Sequence, residues 1–449
     1  MTPLYCLLYV TFTEIILSAA ESTYTVVAGN NDFAFDLTHT LHQDTSNNFW
    51  ISPFSITSCF SLIYPGSSGE TQSQIASTMH FPMNLDGAQV VNQFLNLQSS
   101  IESKYDGSKV SRTRWSNPSS IIHIANKIYS AKSLILKQSF VDTLSVNGTF
   151  FIDQNFNFES PNAKQRINQW VSTATDGLID SVVPETMDIS HWRLVALNAM
   201  YLKGSWIKPF KDYKTKQKYF YVDVSREEAV GECSLMSQTD YFLYFEDTDY
   251  QFVRMRFNDA PANLFALFVL PRNGHIESDR NGLITDWNVL NAAISEMETT
   301  SVQLELPRVS VEASFRLKDP LMEMGITNAF NSELSDFKGM SDEPLMIDAV
   351  IHKTMLEMDE KGLKAAAVTM IAMSRTSASM MKRPEPVLFK ADHPYQMFII
   401  DGEHENPILF MGQINNPGTP KDIPRDDTVD LEEVLEIDVD GNPRRTHDV

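Results

Sequence analysis

From Asp359 to Phe389 the chain reads DEKGLKAAAVTMIAMSRTSASMMKRPEPVLF. Three successive alanines, Ala365 to Ala367, lead to an isolated Arg375, then to the pair Met380 and Met381, then to Pro384 and Pro386. An arginine held among small and polar residues offers the long cation that an acidic protease specificity pocket accepts. The chemistry open to this segment is that of a protease substrate. Its amino half divides into two sets when drawn as an extended chain. Leu363, Ala365, Ala367, Thr369, Ile371 and Met373 share one face and carry no charge. Lys364, Ala366, Val368, Met370, Ala372 and Ser374 share the other, where Lys364 is the single charge. Such a segment tolerates water on both faces and also burial of one. Gly362, just before it, supplies a residue that changes the sign of φ cheaply. Taken alone, LKAAAVTMIAM fits an Ala-rich helix equally well.

No other stretch carries a signature of catalysis or cofactor binding. The sequence has no GxSxG elbow, no HExxH, no phosphate loop and no dinucleotide fingerprint. DVDGN, at Asp438 to Asn442, resembles the start of a calcium loop but lacks the remaining ligands. The histidines make no metal-ligand spacing. We therefore expect neither an enzyme, nor a metal, nor a cofactor.

The totals bound the partners. The chain has 449 residues and a formal net charge of −22, which argues against nucleic-acid binding because that needs excess Lys and Arg. Nothing approaches the apolar run of a spanning helix, so no membrane segment is expected. MTPLYCLLYVTFTEIILSAAES resembles a secretory leader with small residues at Ser18 and Ala20, and cleavage is expected after Ala20. Export would make Asn147-Gly148-Thr149 a glycosylation acceptor. Cys6 would leave with residues 1–20, and Cys59 and Cys233 are too far apart in sequence to suggest a disulfide framework. Cys59 lies in the apolar stretch SITSCFSLIY and reads as a buried free thiol.

The elements that must position the loop mix helix and strand without strict alternation. AFDLTHTLHQ and AKQRINQWVSTATDGLIDSVV have helical spacing, the second closed by Gly177. SVQLELPRVSVEASF alternates like a strand pair hinged at Pro307, and ANLFALFVLP and NPILFMGQI read as buried strands. These features fit an α+β fold with large antiparallel or mixed sheets. Lys104 to Trp115 is locally basic, and the segment after Pro417 holds ten acidic against four basic residues, the composition of an extension outside the core.

Several separated stretches together resemble the serpin family. FWISPFSI looks like the start of its second helix, and WVSTATDGLIDSVVP like the end of the helix crossing its main sheet. LVALNAMYLKGSWIKPF is similar to the strand beneath the opening of that sheet. LPRVSVEASFRLKDPLMEMGITNAF, VIHKTMLEMDEKG, FKADHPYQMFII and NPILFMGQINNP follow in the family's order, from about Tyr24 to Pro417. The resemblance implies one domain over 21–417 with three β-sheets, eight to nine helices and an exposed reactive loop at about 359–389, followed by an acidic extension over 418–449. It also implies a mechanism: the target protease cleaves the loop and is held as an acyl-enzyme while the cut loop enters the main sheet as a new strand.

The family's usual hinge length, counted from Gly362, places the scissile bond at Thr376–Ser377. A hinge one residue shorter places it at Arg375–Thr376, and a backward count from Phe389 lands near Met380–Met381. Arg375 is preferred for its cation, with Lys382 as an alternative, and the expected partner is a trypsin-like serine protease met by a secreted, monomeric inhibitor. Glu360, Gly362, Leu363, Ala365, Ala366, Ala367 and Thr369 form the implied hinge, although Leu363 and Lys364 depart from its commonest residues. Ser52, Ser55, Asn198 and His352 are implied where the sheet parts, with Trp206 and Glu360 nearer its top. Lys104, Lys109, Arg112 and Arg114 follow the helix that carries a heparin site in some members, so a glycosaminoglycan-like polyanion is a further candidate partner. A non-inhibitory carrier, storage protein or chaperone, or an inhibitor of chymotrypsin-like or cysteine proteases, are the alternatives.

Overall fold

The computed structural model describes residues 25–41, 47–105, 120–146, 149–258, 263–272, 283–363 and 385–418, with the backbone of 436–437 and 443–444. Two apolar runs set the architecture. LVALNAMYLKGS has no charge before Lys203 and is buried along almost its whole length, as a strand covered on both faces must be. LFALFVLP is buried likewise. Each is a central strand of one large sheet.

The first sheet has the order β12 (Val309–Arg316), β13 (Ala349–Met358), β14 (Gly362–Leu363), β6 (Leu194–Ser205), β2 (Ile121–Ala131) and β5 (Ile152–Phe156). The second runs β1 (Phe49–Ile51), β17 (Ile408–Ile414), β16 (Tyr395–Asp401), β10 (Leu264–Pro271), β9 (Tyr250–Arg256), β8 (Ala229–Glu246), β11 (Glu298–Pro307) and β15 (Val387–Lys390), with β7 (Lys216–Tyr221) paired to β8. β3 (Ser145–Val146) and β4 (Thr149–Phe150) form a short separate hairpin. Two of the three expected sheets are thus joined into one ladder, because β8 is 18 residues long and pairs with β7, β9 and β11 in turn.

Eight α-helices lie among the described residues: α1 (Val26–Leu41), α2 (Pro53–Ile63), α3 (Gly69–Thr78), α4 (Gly87–Lys104), α5 (Gln138–Thr143), α6 (Ala163–Ala174), α7 (Trp287–Ser295) and α8 (Lys318–Glu323). α2 is buried at every residue. Pro53 is tolerated because it stands at the first helical position, where the missing N–H costs nothing, and the Ser52 hydroxyl caps the Ser55 N–H at 3.2 Å. α6 presents Ala163, Ile167 and Val171 to β2 and β6, closing a second apolar core with Tyr129, Val195 and Leu197. It ends at Ala174, and Asp176 and Gly177 then take positive φ of 53° and 75°. No described helix is long and apolar enough to cross a membrane.

The segment hinged at Pro307 is not a hairpin. Its halves, β11 and β12, belong to different sheets, and Arg308 between them donates its N–H to the Ser234 carbonyl at 2.8 Å. Cys59 and Cys233 are both buried and free, and burial pushes their thiols up to about 12 and about 11.

Candidate functional site

Near their amino ends β13 and β6 pair in parallel, from Ala349 opposite Val195 to Lys353 opposite Ala199. Beyond Lys353 that ladder stops. At the far end Gly362 and Leu363 stand between the two strands, with Leu363 opposite both Met358 and Gly204, and Gly362 opposite Ser205. Between the ladder and this wedge, Thr354 to Glu357 and Met200 to Lys203 face each other without pairing. A small void, about 10 Å³, lies there among Trp50, Leu202, Met355, Leu356, Glu357, Leu363 and Phe410. Further insertion therefore needs β6 and β13 to separate. Leu363 is 3% exposed, so the unusual leucine is accommodated on the apolar face expected of it.

The turn that delivers this wedge is clamped. Asp359 accepts the N–H groups of Lys361 at 2.8 Å and Gly362 at 3.1 Å, and burial raises its pKa above the ordinary carboxylate value. Trp206, the residue after β6, reaches it: its backbone N–H donates to the Lys361 carbonyl at 2.7 Å and its indole N–H to the Asp359 carbonyl at 3.2 Å. The indole stacks on Phe257, with centroids 4.6 Å apart. Gly362 has φ of +154°, and a Cβ there would stand 1.9 Å from the Gly204 carbonyl oxygen. Any side chain at 362 forces the two backbones apart.

Glu360 is buried beside that turn. Burial alone would raise its pKa, but the bonds from Arg308 and the Thr215 hydroxyl outweigh this and hold the carboxyl below its ordinary value. Arg308 grips it with Nε at 2.9 and 3.0 Å and a terminal nitrogen at 2.7 Å. The hinge is thereby tied to the junction of β11 and β12.

Ser52, Ser55, Asn198 and His352 meet at the seam below. His352 is fully buried, and desolvation lowers its pKa to about 3, so the ring is neutral. The Ser52 N–H donates to Nε2 at 3.0 Å, so the ring proton sits on Nδ1 and is given to Asn198 Oδ1 at 2.6 Å. Ser55 Oγ donates to the same oxygen at 2.7 Å. Asn198 Nδ2 donates to the Ser55 carbonyl and to Asn126 Oδ1, each at 2.5 Å. Asn126 continues to Ser58 at 2.9 Å. This polar chain joins α2 to the three strands β13, β6 and β2 without leaving a member unpaired.

Of the residues named from the sequence, Glu360, Gly362, Leu363, Ser52, Ser55, Asn198, Trp206 and His352 thus fall into two connected clusters. Ala365, Ala366, Ala367, Thr369, Arg375, Thr376, Ser377, Met380 and Lys382 lie outside the described residues, as do Asn147, Lys109, Arg112, Arg114 and residues 1–20. Lys104 ends α4 and pairs with Glu403 at 3.4 Å. Arg308, Thr215 and Asn126 were not singled out from the sequence. Arg308 follows Pro307 in a segment with strand periodicity, and nothing local marks it as the partner of a glutamate 52 positions away.

The pattern described as Serpin (serine protease inhibitor) matches residues 28–417. An uncharacterized serpin-like protein of Thermococcus kodakarensis is 31% identical over 397 residues, covering 87% of this chain and 86% of the relative. The leukocyte elastase inhibitor of Homo sapiens is 28% identical, covering 87% and 99%. Among solved structures, thyroxine-binding globulin in complex with thyroxine superposes with a TM-score of 0.71 at 24% identity, covering 87% of this chain and 99% of that one. That likeness is one of fold, and fold, loop hinge and sequence pattern agree: the chain belongs to the serpin family.

Proposed function

We propose that this serpin is a secreted, suicide-type inhibitor of trypsin-like serine proteases, with Arg375–Thr376 as its bait bond. The observation that carries the proposal is the placement of Gly362 and Leu363 between β13 and β6, above a stretch where those strands are unpaired. Gly362 and Leu363 already pair as a short strand, and the residues on the face that would follow Leu363 inward are all uncharged. The far end of the loop returns as β15 on the other sheet, parallel to β11. A protease on the intervening segment would be linked to the hinge until cleavage, and then carried with it. Cleavage gives the Ser-bound acyl-enzyme with Arg375 as the acyl residue, and releases the amine of Thr376.

The burial of Leu363 supports this reading over a non-inhibitory role, because a side chain that seats in the gap does not obstruct it. The test is incubation of the full chain with trypsin followed by denaturing electrophoresis. A stable band at the summed mass, with release of a peptide beginning at Thr376, is expected. Complete cleavage without that band would leave a substrate or a carrier.

A further inference from the structure

Away from the hinge, a groove of about 340 Å³ lies between α6 and strands β2 and β5. Arg166, Gln169, Trp170 and Thr173 line it from the helix, and Lys127, Tyr129, Asp153 and Phe156 from the sheet. Its walls are aromatic. Tyr129 meets Phe156 edge-on at 4.8 Å and Trp170 at 6.2 Å. Two cations project over these rings: Lys127 Nζ is 5.4 Å from both the Tyr129 and Trp170 centroids, and the Arg166 guanidinium 4.6 Å from Phe156.

The single carboxylate in the groove, Asp153, stands 4.0 Å from Lys127 and 3.9 Å from Arg166. Those separations give Coulomb attraction but are too long for hydrogen bonds. Among the described residues neither cation has a hydrogen-bond acceptor. The Tyr129 hydroxyl has no protein acceptor either, and its oxygen opens on the groove although the residue as a whole is 2% exposed. Three donors therefore face one groove without a protein acceptor among the described residues, and two cations against one carboxylate leave a net positive charge. Burial and the Asp153 charge also hold the Tyr129 phenol far above its ordinary pKa, so it stays protonated as a donor.

We infer that this groove binds a flat aromatic carboxylate, its ring against the partly exposed Trp170 and its oxygens on Lys127, Arg166 and Tyr129. Arginine forks match a carboxylate, and the aromatic walls supply the apolar contact that a bare inorganic anion could not use. An occupant would bridge α6 to the sheet beneath it. The assignment is independent of the loop and of protease inhibition.

The test uses the full chain and 2-naphthoate as probe, with 2-naphthamide as a neutral control of the same shape, followed by calorimetry. Saturable binding of one naphthoate per chain is expected, with the amide at least about tenfold weaker. Arg166→Gln, an exposed position that should leave folding intact, is expected to weaken naphthoate about tenfold, and Lys127→Gln by a similar factor. Trp170→Leu should weaken acid and amide alike. No saturable binding by the folded wild-type chain, or equal affinity for acid and amide, would overturn the assignment. So would naphthoate binding unchanged in both charge variants.

Discussion

His352 Nδ1 and Asn198 Oδ1 lie 2.6 Å apart across the seam where β13 and β6 are still paired. The two residues face each other in the ladder, so one side-chain bond reinforces the backbone pairing at the point where the proposed loop insertion would part the strands. The imidazole is neutral because it is buried, and both ring nitrogens are engaged.

A pH dependence follows from that neutrality. The folded-state pKa of His352 is depressed to about 3 from 6.5, so the unfolded chain binds the extra proton between those values. Stability therefore falls as pH drops from about 6.5 towards about 3. Denaturant melts across this range should show the slope, and His352→Gln, which cannot take up that proton, should flatten it.

The Asn198 side chain makes four hydrogen bonds, to His352, Asn126 and twice to Ser55, so Asn198→Ala should cost about 2–4 kcal/mol by leaving several buried groups unpaired. Thermal unfolding reads the loss. The same variant should accept a synthetic peptide of the sequence Lys364–Ser374 into its sheet faster than the wild type, as seen by native electrophoresis.

Arg308→Ala would strand Glu360 in the hinge turn. A cost of about 2–3 kcal/mol is expected, below that of a fully buried pair because Arg308 is 34% exposed. Restoring a cation with Arg308→Lys should recover only part of this, since the fork contacts both carboxylate oxygens.

Gly362→Val places a Cβ against the Gly204 carbonyl and should expel the wedge. We expect a loss of about 1–3 kcal/mol and faster cleavage of the loop by a non-target protease such as thermolysin. Unchanged cleavage would mean that the hinge is not held by this contact.

Under the proposed inhibitory mechanism, Ala367→Glu should leave the chain a substrate of trypsin, because a carboxylate on the inward face would have to enter an apolar layer. The ratio of trapped to cleaved chain in trypsin digests measures this. Arg375→Ala should abolish the trypsin complex and leave the melting temperature unchanged, whereas persistence of the complex would move the bait bond to Lys382.

The sequence by itself determined the family and marked one of the central strands. A continuous apolar run of strand length such as ANLFALFVLP is written locally, whereas LVALNAMYLKGS is read as a strand only through its resemblance to the family. Ser52, Ser55, Asn198 and His352 were also legible, but only through resemblance, since no spacing connects positions 52 and 352. Tertiary structure alone decided which sheet each half of the Pro307 segment joins and that Arg308 is the partner of Glu360. It also decided that β6 and β13 pair at one end and are wedged apart at the other. Contacts between distant segments depend on the path of the whole chain, and hydrophobic periodicity specifies which face of a strand is buried but not which strand it will lie beside.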